Sequence, residues 1–173
     1  MKTEYTTACG CTIHLLPHTI EHLKAHPEAS DLLGEAIGKV ELPEGTFYLK
    51  SIDMGRVIGQ SALVNATVVK PSETCTFAYR AGRDIPSRVV LDVEKPQTNL
   101  FTVIAGYDNE SERWVLYTGF AGTSAAKEPT DPSLEGNNED ELDFWCRHAL
   151  VHDESCTQPF ESTWNEVIAS AAE

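Results

Sequence analysis

Phe101–Pro129 reads FTVIAGYDNESERWVLYTGFAGTSAAKEP. Two runs within and beside it, Leu100 to Tyr107 and Arg113 to Phe120, are rich in β-branched and aromatic residues, and the polar DNES between them marks a chain reversal. The stretch therefore predicts a tight β-hairpin that closes a sheet. Its second strand ends in Tyr117-Thr118-Gly119-Phe120-Ala121-Gly122, a corner that sets Thr118 and nearby amides at a sheet rim, where small residues serve either a turn or a site.

Working outward toward the N-terminus, Thr12 to Leu15 reads as a short strand. Pro17 suits the first turn of a helix carrying Ile20 and Leu23, and Pro27 starts or kinks a second helical run with Leu32, Leu33, Ala36, Ile37 and Val40 at helical spacing. After the turn at Pro43-Glu44-Gly45 the period changes to that of strands. Thr46 to Asp53 is one, Val57 to Val69 holds one long or bulged strand with Gly59 as its irregularity, and Thr74 to Arg80 and Arg88 to Val93 are two more.

Toward the C-terminus, TSAAKEPTDPSLEGNNEDE carries turn formers and charge but little to bury, and predicts a loop. Asn138 or its acidic neighbours can cap a helix from about Asp140 to Val151, with Leu142, Trp145, Ala149 and Leu150 as its apolar stripe. A last short helix is expected around Trp164, Val167 and Ile168. The expected class is α+β: N-terminal helices packed on one mainly antiparallel, strongly twisted sheet of about five or six strands, with a C-terminal helix. A single domain is expected over residues 1–173, with a core at 12–126, an acidic loop at 127–139 and a helical extension at 140–173.

Composition narrows the function classes. Apolar residues make up 41% and charged residues 23% of the 173, which excludes wholesale disorder. The net charge of -14 is uneven: Lys127 to Glu173 holds 2 Lys/Arg against 12 Asp/Glu, and the preceding chain 11 against 15. A general grip on nucleic acid is disfavoured, because phosphate neutralisation needs clustered cations. A local basic pocket stays open, since Arg80, Arg83 and Arg88 lie close together in the less acidic part. No run approaches the roughly 20 apolar residues of a membrane span, so no membrane contact is expected. Five cysteines, Cys9, Cys11, Cys75, Cys146 and Cys156, lack disulfide-framework spacing, and a cytoplasmic location is expected.

His14, His18, His22 and His26 recur every four residues. Imidazoles so spaced can supply a general base, bind a metal with an outside carboxylate, or simply form the polar face of an amphipathic helix. The residue after His18 is Thr19, so the helix lacks the Glu of the zincin pattern, and a metal is not expected. Cys9-Gly10-Cys11 is near enough to add thiolates. Arg80 is expected to end a strand and Arg83 to lie in the link that follows, where a guanidinium can hold a phosphate or carboxylate; surface pairing with Asp84, Asp92 or Glu94 is the structural alternative. Thr118 can donate a hydroxyl to the same anion. Trp145 and Leu150 are expected to anchor the C-terminal helix.

Histidine-bearing N-terminal helices, an antiparallel sheet with Arg after a middle strand, and Thr at the end of the last strand together resemble the barnase, EndoU and RelE-like group of metal-independent nucleases. The resemblance spans about Thr12 to Gly122; YTGFAG and FWCRHALV also resemble bacterial and phage-borne proteins of unassigned function. The nuclease resemblance implies His14 or His18 as acid or base, Arg80 or Arg83 on the phosphate, Thr118 for orientation, and no cofactor. It implies RNA as substrate, cleaved by attack of the ribose 2'-hydroxyl. The alternative is a non-enzymatic acidic module or inhibitor that complements a basic protein partner.

Overall fold

A computed structural model describes residues 2–24 and 27–172. In chain order the elements are β1 (Glu4–Thr6), β2 (Thr12–Leu15), α1 (Pro17–Lys24), α2 (Pro27–Ile37), β3 (Phe47–Asp53), β4 (Gly59–Gln60), β5 (Leu63–Asn65), β6 (Cys75–Tyr79), β7 (Pro86–Val90) and β8 (Gln97–Thr98). They continue as β9 (Leu100–Asp108), β10 (Arg113–Ala121), α3 (Glu139–Arg147), β11 (His148–Val151), β12 (Phe160–Ser162) and α4 (Trp164–Ala171).

The expectation of helices on one sheet is corrected. Among the described residues the strands form two separate five-stranded sheets and a two-stranded ribbon, with 35% strand against 20% helix. Contacts divide the chain into two compact units, residues 1–61 with 97–124, and residues 62–96 with 125–173. The segment read as a C-terminal extension therefore shares a unit with the middle of the chain.

In the first unit the sheet order is β1-β2-β10-β9-β3. The hairpin of β9 and β10 is at its centre, as its alternation of apolar residues demands, with β3 antiparallel on β9 and β2 parallel on β10. Helices α1 and α2 cover it: Leu23 and Leu33 are fully buried against Ile13, Phe101, Val103 and Leu116. Each such leucine contributes about 1.5–3 kcal/mol by leaving water. Gly119 is explained by this packing, because a Cβ there would lie 2.9 Å from the Phe101 ring and 3.2 Å from Leu33. The glycines of the Tyr-Thr-Gly-Phe-Ala-Gly corner thus serve close packing and a turn; Gly122 has φ +105°.

In the second unit the order is β12-β6-β7-β11-β5. Phe77, Val89, Trp145, Leu150, Trp164 and Val167 are its core, and the Phe77 ring meets Trp164 edge-on at 4.7 Å between centroids. Helix α4 begins with a complete capping box, Thr163 accepting from the Glu166 amide and Glu166 accepting from the Thr163 amide.

Two local readings are overturned here. The helix expected to run to Val151 ends at Arg147, and His148-Ala149-Leu150-Val151 becomes a strand between β7 and β5. A strand covered on both edges and most of both faces is apolar throughout, which in sequence looks like a helix end. The long strand expected in Val57 to Val69 is two short ones in different sheets, β4 pairing with β8 and β5 with β11.

Candidate functional site

The residues singled out by sequence fall in both units. His14 lies on β2, opposite Val115 of β10, with Nδ1 3.7 Å from a Glu4 carboxylate oxygen. His18 is exposed on α1, one residue before Thr19, whose buried hydroxyl donates to the Leu116 carbonyl at 3.1 Å. Thr118 follows a bulge at Tyr117 in β10. The Tyr117 ring lies across β9 on Gly106, where any Cβ would collide with it. His14, His18 and Thr118 therefore belong to the first unit, and Arg80 and Arg83 to the second. His26 lies outside the described residues. Among the described residues no group of three or more His, Cys, Asp or Glu is placed to hold a metal.

Arg80 and Arg83 are brought together by a turn. The chain leaves β6, the Arg83 amide donates to the Arg80 carbonyl at 3.0 Å, and Gly82 takes φ +76°, which a residue with a Cβ resists. A single isolated bridge from Arg80 to Cys156 and the Ala81 amide on the Ser155 carbonyl hold the turn against the segment before β12. Both guanidiniums then reach one carboxylate. Arg80 donates to Glu128 Oε1 at 2.7 Å and Arg83 to Oε2 at 3.0 Å, while the Ser87 hydroxyl donates to Oε1 at 2.5 Å. Asp131 approaches Arg83 at 3.7 Å.

The expected surface partners Asp84, Asp92 and Glu94 are not the ones used. Glu128 belongs to the stretch read as an acidic loop, yet it is 1% exposed. Burying a carboxylate is tolerable only when it is paired and hydrogen-bonded, and three donors meet that condition. The two arginines stay 35% exposed. Arg80 Nε is buried with no hydrogen-bond partner among the described residues and is closed to a ligand; the donor capacity at the rim is in the remaining exposed N–H groups of the two guanidiniums, each of which gives one bond to Glu128.

Tyr79, Arg80, Ala81, Gly82, Arg83, Asp84 and Thr157 line an open concavity of about 400 Å³. Tyr79 is 38% exposed and stacks on Phe160 with centroids 5.7 Å apart, so one ring face is braced from behind. Thr157 is fixed by its amide on the Tyr79 carbonyl at 2.7 Å, and its own carbonyl lies 3.2 Å from His152 Nε2. One rim thus joins two guanidiniums and an aromatic ring; His152 does not line it and is linked to it only through the Thr157 carbonyl. A larger hollow of about 1010 Å³ lies between β1 and α2 in the first unit, but it gathers no comparable set of groups.

Glu128, Ser87, Tyr79 and His152 were not legible as site residues. Glu128 sits between Lys127 and Pro129 in a segment without periodicity, so nothing local announces its burial. Three arginines within nine residues were the available signal, since such a cluster requires a counter-charge.

No protein-family model matches this chain, and no curated protein or solved structure matches it.

Proposed function

We propose that this protein binds single-stranded RNA at the rim of Arg80 and Arg83, holding one phosphodiester on the guanidiniums and stacking the adjoining base on Tyr79. The observation that carries this reading is the convergence of both arginines from one glycine turn, with donors unspent on Glu128, beside an exposed aromatic ring. Guanidinium forks match phosphate oxygens, and aromatic faces accept any base. The surrounding acidity limits the contact to one or two phosphates, so affinity is modest and log K falls with log salt at a slope of only about −0.7 to −1.4.

His152, joined to the rim through the Thr157 carbonyl, supplies an imidazole of the kind that acid–base cleavage of RNA uses. With a phosphate on the arginines, an imidazole there would take the proton of the ribose 2'-hydroxyl as its oxygen attacks phosphorus. A 2',3'-cyclic phosphate forms and the 5'-oxygen leaves with a proton from solvent. This reading moves the acid–base role from His14 and His18 to His152.

A second reading has its own observation. Val68, Val69, Pro71, Leu142 and Cys146 line a mostly apolar hollow of about 310 Å³ rimmed by two carboxylates, Glu139 and Asp143, and by Lys70. That combination suits a basic peptide with an aliphatic anchor.

The test is fluorescence anisotropy of a fluorescein-labelled single-stranded RNA octamer at low salt, followed by a gel of the same RNA with chelator-treated protein. Arg83→Ala, which leaves Glu128 bonded to Arg80 and Ser87, should weaken binding about 10- to 100-fold, the value of one or two charge-assisted hydrogen bonds. Tyr79→Ala should weaken it less, and His152→Ala should abolish any cleavage while sparing binding. Binding that ignores Arg83→Ala, or no binding by the wild type, would sink the proposal and favour the peptide-binding face.

A further inference from the structure

A second constellation, in the first unit, takes no part in the arginine rim. The turn from Thr7 to Cys11 joins β1 to β2, and four hydrogen bonds fix it. The Thr7 amide donates to the Cys11 carbonyl at 2.8 Å, the Gly10 amide to the Thr7 carbonyl at 3.0 Å, the Ala8 amide to the Val40 carbonyl at 2.9 Å, and the Thr7 hydroxyl to the Cys11 carbonyl at 3.0 Å. Gly10 sits at φ +81°, a backbone conformation that a residue with a Cβ rarely adopts, which is what lets the turn be tight. Both Cys9 and Cys11 are exposed and free, unlike Cys146, which is buried.

One hydroxyl stands on the Cys9 sulfur: Thr7 Oγ1 lies 3.2 Å from Sγ. The backbone at Leu42 and Cys11 and the Cys11 thiol are near enough to favour its thiolate as well. The Thr7 hydroxyl has one proton and two acceptors, the Cys11 carbonyl and Sγ. An ionised sulfur is the stronger acceptor and draws that proton. These interactions, the Thr7 hydroxyl foremost, hold the Cys9 thiol down to about 7, while the neighbouring Cys9 pushes the Cys11 thiol up. The two exposed sulfurs are thereby made unlike: Cys9 partly ionised at neutral pH, Cys11 protonated two residues on.

We propose that Cys9 and Cys11 form a dithiol–disulfide couple that exchanges with external disulfides, Cys9 as the attacking thiolate and Cys11 as the resolving thiol. The co-reactant is a disulfide, R–S–S–R. The Cys9 thiolate attacks one of its sulfurs, the S–S bond breaks, and a mixed disulfide forms as RS⁻ leaves. Cys11 loses its proton to that thiolate, and its sulfur attacks Cys9 Sγ. The Cys9–Cys11 bond closes and a second RS⁻ departs, so the disulfide is reduced by two electrons and the pair is oxidised by two. Run backward, the same steps deliver an oxidised pair to an external dithiol.

The experiment exposes the full-length reduced protein to oxidised glutathione at pH 7, quenches with acid, alkylates, and maps the peptide carrying residues 9 and 11 by mass spectrometry. The expected result is an intramolecular Cys9–Cys11 disulfide in the wild type, and a stable mixed disulfide on Cys9 in Cys11→Ser. Cys9→Ser should leave Cys11 unmodified over the same period. At pH 7 a thiol of pKa about 7 is roughly half ionised and an ordinary free one about 3% ionised, so Cys9 should react with iodoacetamide at least about fivefold faster than free N-acetylcysteine under the same conditions. A wild type that stops at the glutathione adduct, or a Cys9 that alkylates no faster than N-acetylcysteine, overturns the proposal. Circular dichroism of each serine variant shows that the substitution has not unfolded the chain, and neither outcome depends on RNA binding.

Discussion

Arg88 and the pair Arg80 and Arg83 lie within nine residues of one another in the second unit, and the fold uses them in opposite ways. Arg88 is 4% exposed and gives its guanidinium to three backbone carbonyls, Trp145 and Cys146 at 3.1 and 3.0 Å and Thr67 at 2.8 Å. Two of those carbonyls belong to the last turn of α3, so a positive charge sits where the helix dipole is negative, and the Cys146 carbonyl accepts in addition from the Val69 amide at 3.0 Å. Arg80 and Arg83 instead share one carboxylate and keep about a third of their surface in water. Similar residue types in one short stretch thus separate into a structural clasp and a presented rim. What distinguishes them is the acceptor: uncharged carbonyls enclosing one side chain, or a single carboxylate that two side chains only partly spend themselves on.

The strongest way to break this comparison is Arg88→Met, which keeps the aliphatic stem and removes the charge. Three carbonyls lose a charged donor in a buried place, and the second unit should lose about 3–5 kcal/mol. Urea denaturation followed through Trp145 and Trp164, both fully buried in that unit's core, measures it. A loss below about 1 kcal/mol would mean that Arg88 is no clasp and that the distinction drawn here is false.

Glu128→Gln comes next and should move two quantities in opposite directions. The amide oxygen still accepts from Ser87 and one arginine, but the second guanidinium loses its counter-charge, and stability should fall by about 2–4 kcal/mol. Affinity for the RNA octamer should rise several-fold at low salt, because one negative charge beside the phosphate is gone. If both quantities fell together, the arginines would be an internal staple for the segment around Pro129 and nothing more. Arg83→Ala sharpens the same point from the other side, with its large effect on binding and a stability cost of about 1–3 kcal/mol, since the buried Glu128 loses one of its three donors and keeps Arg80 and Ser87.

How far the chain announces all this differs from region to region. The hairpin of β9 and β10 was readable because its signal is local: apolar alternation on either side of DNES survives any tertiary context, and the observed strands, Leu100–Asp108 and Arg113–Ala121, extend the expected ones by one residue each. β11 was not readable. His148-Ala149-Leu150-Val151 continues a helical pattern, and only pairing with β7 and β5, strands some 60 to 85 residues earlier in the chain, decides its conformation. Asn138 shows the same limit at smaller scale: it occupies the helix N-cap position, but its side chain donates to the Pro129 carbonyl instead of capping. In the candidate site, Arg80 and Arg83 could be named because arginines beside a strand end are conspicuous. Glu128, which brings them together, carries no pattern at all and is positioned by contacts distant in sequence. The division into two sheets was hidden for a related reason, since Val57 to Val69 keeps strand-like composition straight through the point where the chain changes sheets.

The smallest expected effect concerns an ion pair outside the arginine rim. Lys95 donates to Asp153, which also accepts from the Ser155 hydroxyl and, at 2.9 Å, from the Ser155 amide. Partial burial alone would raise the Asp153 pKa, but the Lys95 and Ser155 bonds outweigh it and hold the carboxyl down to about 2. A carboxyl whose folded pKa is depressed contributes stability above its unfolded pKa, near 3.9, and loses it as pH falls toward the folded value. The window is therefore from about pH 4 to about pH 2. The full shift corresponds to roughly 2.5 kcal/mol by linkage, but the side chains of the pair are about one-third exposed and solvent screening brings the expected contribution to about 1 kcal/mol. Asp153→Asn should accordingly cost about 1 kcal/mol at neutral pH, and that cost should fade to nothing near pH 2 while RNA affinity at pH 7 stays unchanged. Should Asp153→Asn weaken RNA binding as much as Arg83→Ala does, the rim would extend across the loop to this pair, and the sharp line between clasp and rim would have to be redrawn.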